Sequence, residues 1–150
     1  MSLTHLNKNI SRIRTRLLQA EHEAQRSLNS VKLIAVSKTK PIAAIKHVYE
    51  TGQRDFGENY VAEAIDKITA CESLDICWHF LGPLQSNKTR LVAAHFDWIH
   101  SVDRIKVAQR LNDQRPATLP PLNVCLQVNI PAEASKSGVS SETELLELAL

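Results

Sequence analysis

The chain has 150 residues, 43% of them apolar, and 18 basic against 16 acidic side chains give it a formal charge of +2. That size and composition suit one domain with an ordinary globular core. Acids and bases are interspersed, which argues against nucleic acid as a partner, and no apolar run approaches the roughly 20 residues that cross a bilayer.

Met1–His5 opens a polar amphipathic segment and lacks the apolar core of a signal peptide. Cys71, Cys77 and Cys125 are odd in number and form no C-x-x-C pair. A reduced, cytoplasmic setting fits them best.

From Leu3 to Leu28 the apolar residues Leu6, Ile10, Ile13, Leu17 and Ala24 recur at helical spacing, which predicts a long amphipathic helix. Strand-like runs follow at Leu33–Ser37, Asp55–Gly57, Trp78–Leu81, Trp98–Ser101 and Val124–Ile130. Pro41 suits the first turn of a helix bearing Ile42, Ile45 and Val48, with Gly52 as its stop. Helices are also predicted through Val61–Ile68, near Asn87–Ala94, and after Asp103, which can cap the helix bearing Val107 and Leu111. Ser141-Glu142-Thr143-Glu144 reads as a capping box.

The strands begin roughly 20 to 25 residues apart, the size of minimal parallel β/α units. Residues 1–150 therefore read as a single α/β domain: about five β/α units behind an N-terminal amphipathic helix. Two architectures fit, an open doubly wound sheet and the first part of a (β/α)₈ barrel. A barrel takes about 250 residues, and the last helix reaches Leu150 without a stop signal. A segment of a longer fold is expected.

Polar residues sit just beyond the strand ends: Lys38, then Glu58 and Asn59, then Gly82 and Gln85, then Ser101 and Asp103, then Asn129. In a parallel sheet these ends share one side, where α/β proteins place their ligands. Caps and turns explain most of them singly. Lys38 shares strand parity with Ile34 and Val36, so an inward-facing strand would carry its stem inward. A partly desolvated lysine becomes a neutral nucleophile toward aldehydes; a solvated strand-end lysine is the competing reading. Lys40 is a rival amine at a helix start.

Cys77 and His79 share a strand face near Cys71, but the C-x₅-C-x-H spacing matches no compact zinc signature. A core cysteine and a hydrogen-bonded histidine account for the pair, and no metal is expected. The four glycines form no phosphate-cradling loop. Lys136-Ser137-Gly138 reads as a surface turn with some capacity for an anion.

Three stretches carry a family resemblance: Ala35-Val36-Ser37-Lys38-Thr39-Lys40-Pro41, Phe56-Gly57-Glu58-Asn59-Tyr60-Val61, and Trp78-His79-Phe80-Leu81-Gly82-Pro83-Leu84-Gln85-Ser86-Asn87-Lys88. They closely resemble the pyridoxal 5′-phosphate homeostasis proteins (the YggS/PROSC family), and the likeness continues through Asp97–Asp103 and Gln127–Gly138. The resemblance implies a (β/α)₈ barrel of the TIM type, similar to the N-terminal domain of alanine racemase (fold type III for this cofactor), of which about five units are present. It implies pyridoxal 5′-phosphate bound as a Schiff base on Lys38, with Asn59, His79 and Ser101 lining the same mouth.

By the same resemblance the protein is a vitamin B6 carrier or buffer in PLP homeostasis, without catalytic turnover. It would be cytoplasmic, a monomer when full length, and in transient contact with apo-enzymes that use the cofactor. The phosphate contacts would come from later strands. A PLP-dependent amino-acid racemase is the alternative; it needs a second acid/base, for which Tyr60 at a helix start is the candidate. The competing reading packs Tyr60 against the helix that follows the first strand.

Overall fold

The computed structural model describes residues 3–131, 133 and 135–150. Met1 and Ser2, at the head of the expected N-terminal helix, lie outside the described residues. Five strands, β1 (Ala35–Val36), β2 (Asp55–Glu58), β3 (Cys77–Phe80), β4 (Trp98–Val102) and β5 (Asn123–Leu126), form one sheet in the order 1-2-3-4-5, every pair parallel. Helices α1 (Leu3–Glu23), α2 (Ile42–Glu50), α3 (Val61–Ala70), α4 (Thr89–His95), α5 (Ile105–Gln114) and α6 (Glu142–Ala149) flank or connect them, and a single 3₁₀ turn at Ser86–Lys88 precedes α4.

This order lacks the reversal that a doubly wound sheet requires. Right-handed crossovers in a sequential order place every connecting helix on the same side, and the core agrees. Phe56, Trp78, Phe80 and Ile99 from one sheet face form a single buried cluster with Ile45 and Val48 of α2, Ala64 of α3, Val92 of α4 and Leu111 of α5. The opposite face carries Val36, Gly57, His79 and Trp98 in register and has no helix upon it among the described residues. One face is thus a packed apolar core, while on the other Val36 is exposed and Gly57 and His79 are buried.

Several elements end elsewhere than their periodicity suggests. The first helix stops at Glu23 rather than running to Leu28, which is 67% exposed. The buried Glu21 carboxylate accepts backbone N–H groups from Asn29 (2.8 Å) and Val31 (2.6 Å), so the chain folds back upon it through left-handed residues Gln25 and Asn29. A side-chain acceptor has out-competed helical carbonyls.

The first strand shrinks from five expected residues to two because it lies at the sheet edge, paired on one side only. The fifth ends at Leu126, and only an isolated bridge, Val128 to Val139, continues it. Asp103 does not cap α5: Arg104 occupies that position and the Asp103 carboxylate accepts from Arg104 Nε at 2.9 Å. The capping box does form. Ser141 Oγ accepts from Glu144 N–H, and Glu144 reaches back to Ser140 N–H at 3.0 Å.

Candidate functional site at the carboxyl ends of the strands

Lys38 lies two residues beyond β1, at the hinge into α2. The ladder register ends with Val36 opposite Gly57, and the chain then turns at Lys38 and Thr39. Lys38 is exposed, as is Lys40. The inward, desolvated stem expected from parity is therefore not seen: β1 is an edge strand, and even Val36 beside it is 51% exposed. An apolar groove of about 490 Å³ does open at this edge, between α1, β1 and α2, but it is bordered by Thr39 and Lys40 and lined by Leu6, Ile10 and Ala44.

Beneath the hinge lies a buried ionic cluster. Glu58 is fully buried and Lys67, in mid-helix on α3, is 4% exposed. Lys67 Nζ donates to Glu58 Oε1 (2.8 Å), Glu63 Oε1 (2.5 Å) and the Ser37 carbonyl (2.7 Å). Ser37 Oγ donates to Glu58 Oε1 at 2.6 Å, and the Thr39 N–H donates to Glu63 Oε1 at 2.6 Å. Its bond to Lys67 holds Glu63 below the usual carboxylate range, against a smaller upward push from burial. Glu58 Oε2 has no hydrogen-bond partner among the described residues. Thr39 has φ +61°, a genuine outlier for a β-branched residue.

The next strand ends bring Asn59 and Ser101 to a common loop. Ser101, buried, donates to the Gly82 carbonyl at 2.6 Å. Gly82 presses so closely on the Asn59 carbonyl that any Cβ would collide with it, which is why only glycine serves there. Asn59 is half-buried, and Tyr60, at the head of α3, is 56% exposed. That exposure argues against the expected burial of Tyr60 against α2.

His79 sits deeper, 1% exposed, in a chain of its own. Its Nε2 lies 3.0 Å from Asp55 Oδ1 and its Nδ1 lies 2.9 Å from His100 Nε2. Both contacts are satisfied when His79 donates from Nε2 and accepts at Nδ1 from a neutral His100. Lys32 also donates to Asp55 Oδ1, at 2.9 Å, and Trp98 stacks on His79 at 5.9 Å and 15°. Burial pushes the Asp55 carboxyl up, but bonds and charges from Lys32 and His79 outweigh it and hold it low. Burial, with a smaller contribution from His79, lowers His100.

Asp55, Cys77 and His79 place ligand atoms within 4.8 Å of one another. Asp55 Oδ1 already serves Lys32 and His79, and His79 Nε2 spends its hydrogen there. Burial, with the Asp97 and Asp55 charges, pushes the Cys77 thiol up to about 11, so it is a poor metal ligand. The trio is a hydrogen-bonded wall.

At Lys136–Gly138 the chain makes a turn. Lys136 N–H donates to the Glu133 carbonyl, the Asn129 amide donates to Glu133, and Gly138 has φ +123°.

Of the four site residues expected from sequence, Asn59 and Ser101 are tied to one loop through Gly82, Lys38 lies in the turn after β1, and His79 is fixed within β3. Glu63 and Lys67 escaped sequence reasoning because a Glu–Lys pair four apart on a helix resembles an ordinary surface ion pair. Lys32, Asp55 and His100 were missed because only sheet register brings them to His79.

The family model described as the alanine racemase N-terminal domain matches residues 1–150. Proteins named pyridoxal phosphate homeostasis protein are 54% identical in Pseudomonas aeruginosa (93% of this chain, 61% of that one) and 54% in Escherichia coli K12 (94% and 61%). The chain thus spans about 61% of the length of these curated relatives. The structure of PipY from Synechococcus elongatus, with PLP bound, matches with a TM-score of 0.73 and 44% identity over 91% of this chain and 64% of that one. A protein of unknown role from Bifidobacterium adolescentis matches with a TM-score of 0.84 and 30% identity, covering 98% of this chain and 63% of the other. By the match over its whole length, the chain belongs to the alanine racemase N-terminal domain family.

Proposed function

We propose that this chain is the first part of a (β/α)₈ barrel that carries and buffers pyridoxal 5′-phosphate in the cytoplasm, through a Schiff base on Lys38 and without catalytic turnover. The observation that carries this reading is the PLP held by PipY, which matches this chain at 44% identity and a TM-score of 0.73. The residues present suit the aldehyde end of the cofactor. Lys38 is exposed at a strand end, and among the described residues no carboxylate pairs with it, whereas Lys32 and Lys67 are both engaged. The Lys38 amine is accessible and unpaired, which condensation requires, while the desolvation expected from strand parity does not contribute.

Bound there, pyridoxal phosphate supplies an aldehyde carbon for a Schiff base with the Lys38 amine, with loss of one water. Asn59, just beyond β2, would offer an amide at the same end of the sheet. Ser101 contributes through the loop it ties to Gly82, and His79 as a fixed wall, because both of its ring nitrogens are spent. The family resemblance assigns the phosphate to later strands. Monomeric state at full length and transient contact with apo-enzymes complete the proposal.

The test is borohydride reduction of the protein with pyridoxal phosphate, followed by peptide mapping. A pyridoxyl group on Lys38, and loss of the visible absorption band in Lys38→Ala, are expected; a label elsewhere, or a band that survives in the variant, overturns the assignment. The racemase alternative rests on Tyr60, accessible at the head of α3. Incubation with L-alanine in D₂O is expected to leave the α-hydrogen unexchanged, and α-deuteration would favour the enzyme.

A further inference from the structure

We propose that Glu58, Glu63 and Lys67 are positioning residues for Lys38: a buried ionic clamp that holds the backbone on both sides of the amine-bearing residue. The inference rests on the reading that Lys38 takes up the cofactor, and it names what presents that lysine.

The residue before Lys38 has every polar group engaged. Ser37 N–H donates to Gly57, its hydroxyl donates to Glu58, and its carbonyl accepts from Lys67 at 2.7 Å and from Lys40 N–H at 3.0 Å. The residue after Lys38 is pinned as firmly: Thr39 N–H donates to Glu63 at 2.6 Å. Thr39 holds a left-handed φ of +61°, which persists only where the surroundings over-determine it. Lys67 joins the two anchors, since one ammonium bridges Glu58 and Glu63.

An ammonium has three N–H donors, and Lys67 spends all three on Glu58, Glu63 and Ser37. It is therefore no second amine for an aldehyde, despite lying beside the hinge. Stability alone is a weak reason for such a cluster, because well-packed apolar residues of similar volume often do as well. What apolar residues cannot do is bind the Ser37 carbonyl and the Thr39 N–H, the groups that set the backbone on either side of Lys38. Lys38 itself, exposed and unpaired, inherits its direction from those two neighbours.

Glu63 is the member to change first, because its side chain is 32% exposed and its removal leaves the Glu58–Lys67 pair intact. Glu63→Ala is compared with Glu63→Gln, which keeps an acceptor for Thr39, and with Lys67→Met. In the chain without cofactor, amide hydrogen exchange at Thr39 and acylation of Lys38 by a small N-hydroxysuccinimide ester are measured well below the melting temperature. Pyridoxal phosphate uptake is then followed by visible absorption.

Exchange at Thr39 is expected to rise about tenfold in Glu63→Ala, as for one lost charge-assisted hydrogen bond, with altered Lys38 acylation and about tenfold weaker cofactor uptake. Glu63→Gln should restore most of each. Unchanged exchange and acylation in a folded Glu63→Ala would overturn the clamp, whatever Lys67→Met does. If the unaltered chain takes up no cofactor at Lys38, the proposed function fails, and exchange and acylation alone then decide the clamp.

Discussion

Two ionic clusters flank the sheet, and they use similar groups to opposite ends. Under the β1–α2 hinge, Lys67 is nearly fully buried and every donor is matched to an acceptor of fixed position. On the helix-free face, Lys32 meets Asp55 with its own side chain 59% exposed, and the hydrogen-bonded chain continues from Asp55 through the His79 and His100 rings. Burial separates them. Where water is excluded, a lysine–carboxylate contact dictates geometry and is costly to break; where water reaches the ammonium, the same contact is nearly interchangeable with solvent. Lys38, beside the hinge cluster, pairs with no carboxylate among the described residues.

The largest break in that contrast is Lys67→Met, which strands two carboxylates, one of them fully buried. A loss of about 3–5 kcal/mol in chemical denaturation is expected, as for other buried pairs deprived of one partner. A loss under 1 kcal/mol would mean that the hinge is far wetter than described.

Acid should act next in two legs, the first confined to the helix-free face and the second shared by both clusters. His100 is held below its ordinary 6.5, so the unfolded chain gains that proton first and stability falls as pH drops below about 6.5. Glu63 and Asp55 are held below 4.5 and 3.8; the stability they contribute is present above those values and is lost as pH falls through their lower folded values. Denaturation midpoints across pH 3–8 check both legs, and His100→Asn should flatten the first while leaving the second.

Lys32→Met is a smaller perturbation, under about 1 kcal/mol by the same denaturation. Smallest for stability is Lys38→Ala, within about 0.5 kcal/mol because the side chain is solvated. That variant should nonetheless lose the cofactor's absorption band, so stability and binding are expected to part company at this residue.

Much of the fold was legible from periodicity. Strand positions, the Gly52 stop and the Ser141–Glu144 cap all appear near where local pattern places them, because each depends on a few neighbouring residues. The misses share a cause. The first helix ended early because Glu21 recruits amides eight and ten residues away, and Asp103 gave up its cap to bind Arg104. At the site, motif likeness picked out Lys38, Asn59, His79 and Ser101. It passed over Glu63 and Lys67, whose four-residue spacing looks the same on a wet helix face as on a buried one.

The order of polar residues along the chain, alternating with apolar stripes of period two and 3.6, was enough to set a parallel α/β sheet with its chemistry at the strand ends. Which lysine is buried, which is paired and which stays free was decided only when the strands came into register and α3 closed over the hinge. Backbone pattern is a local property of covalent geometry and side-chain shape. Charge environment is a sum over groups that include residues as far as 30 apart in sequence, and only tertiary packing brings those within hydrogen-bond reach.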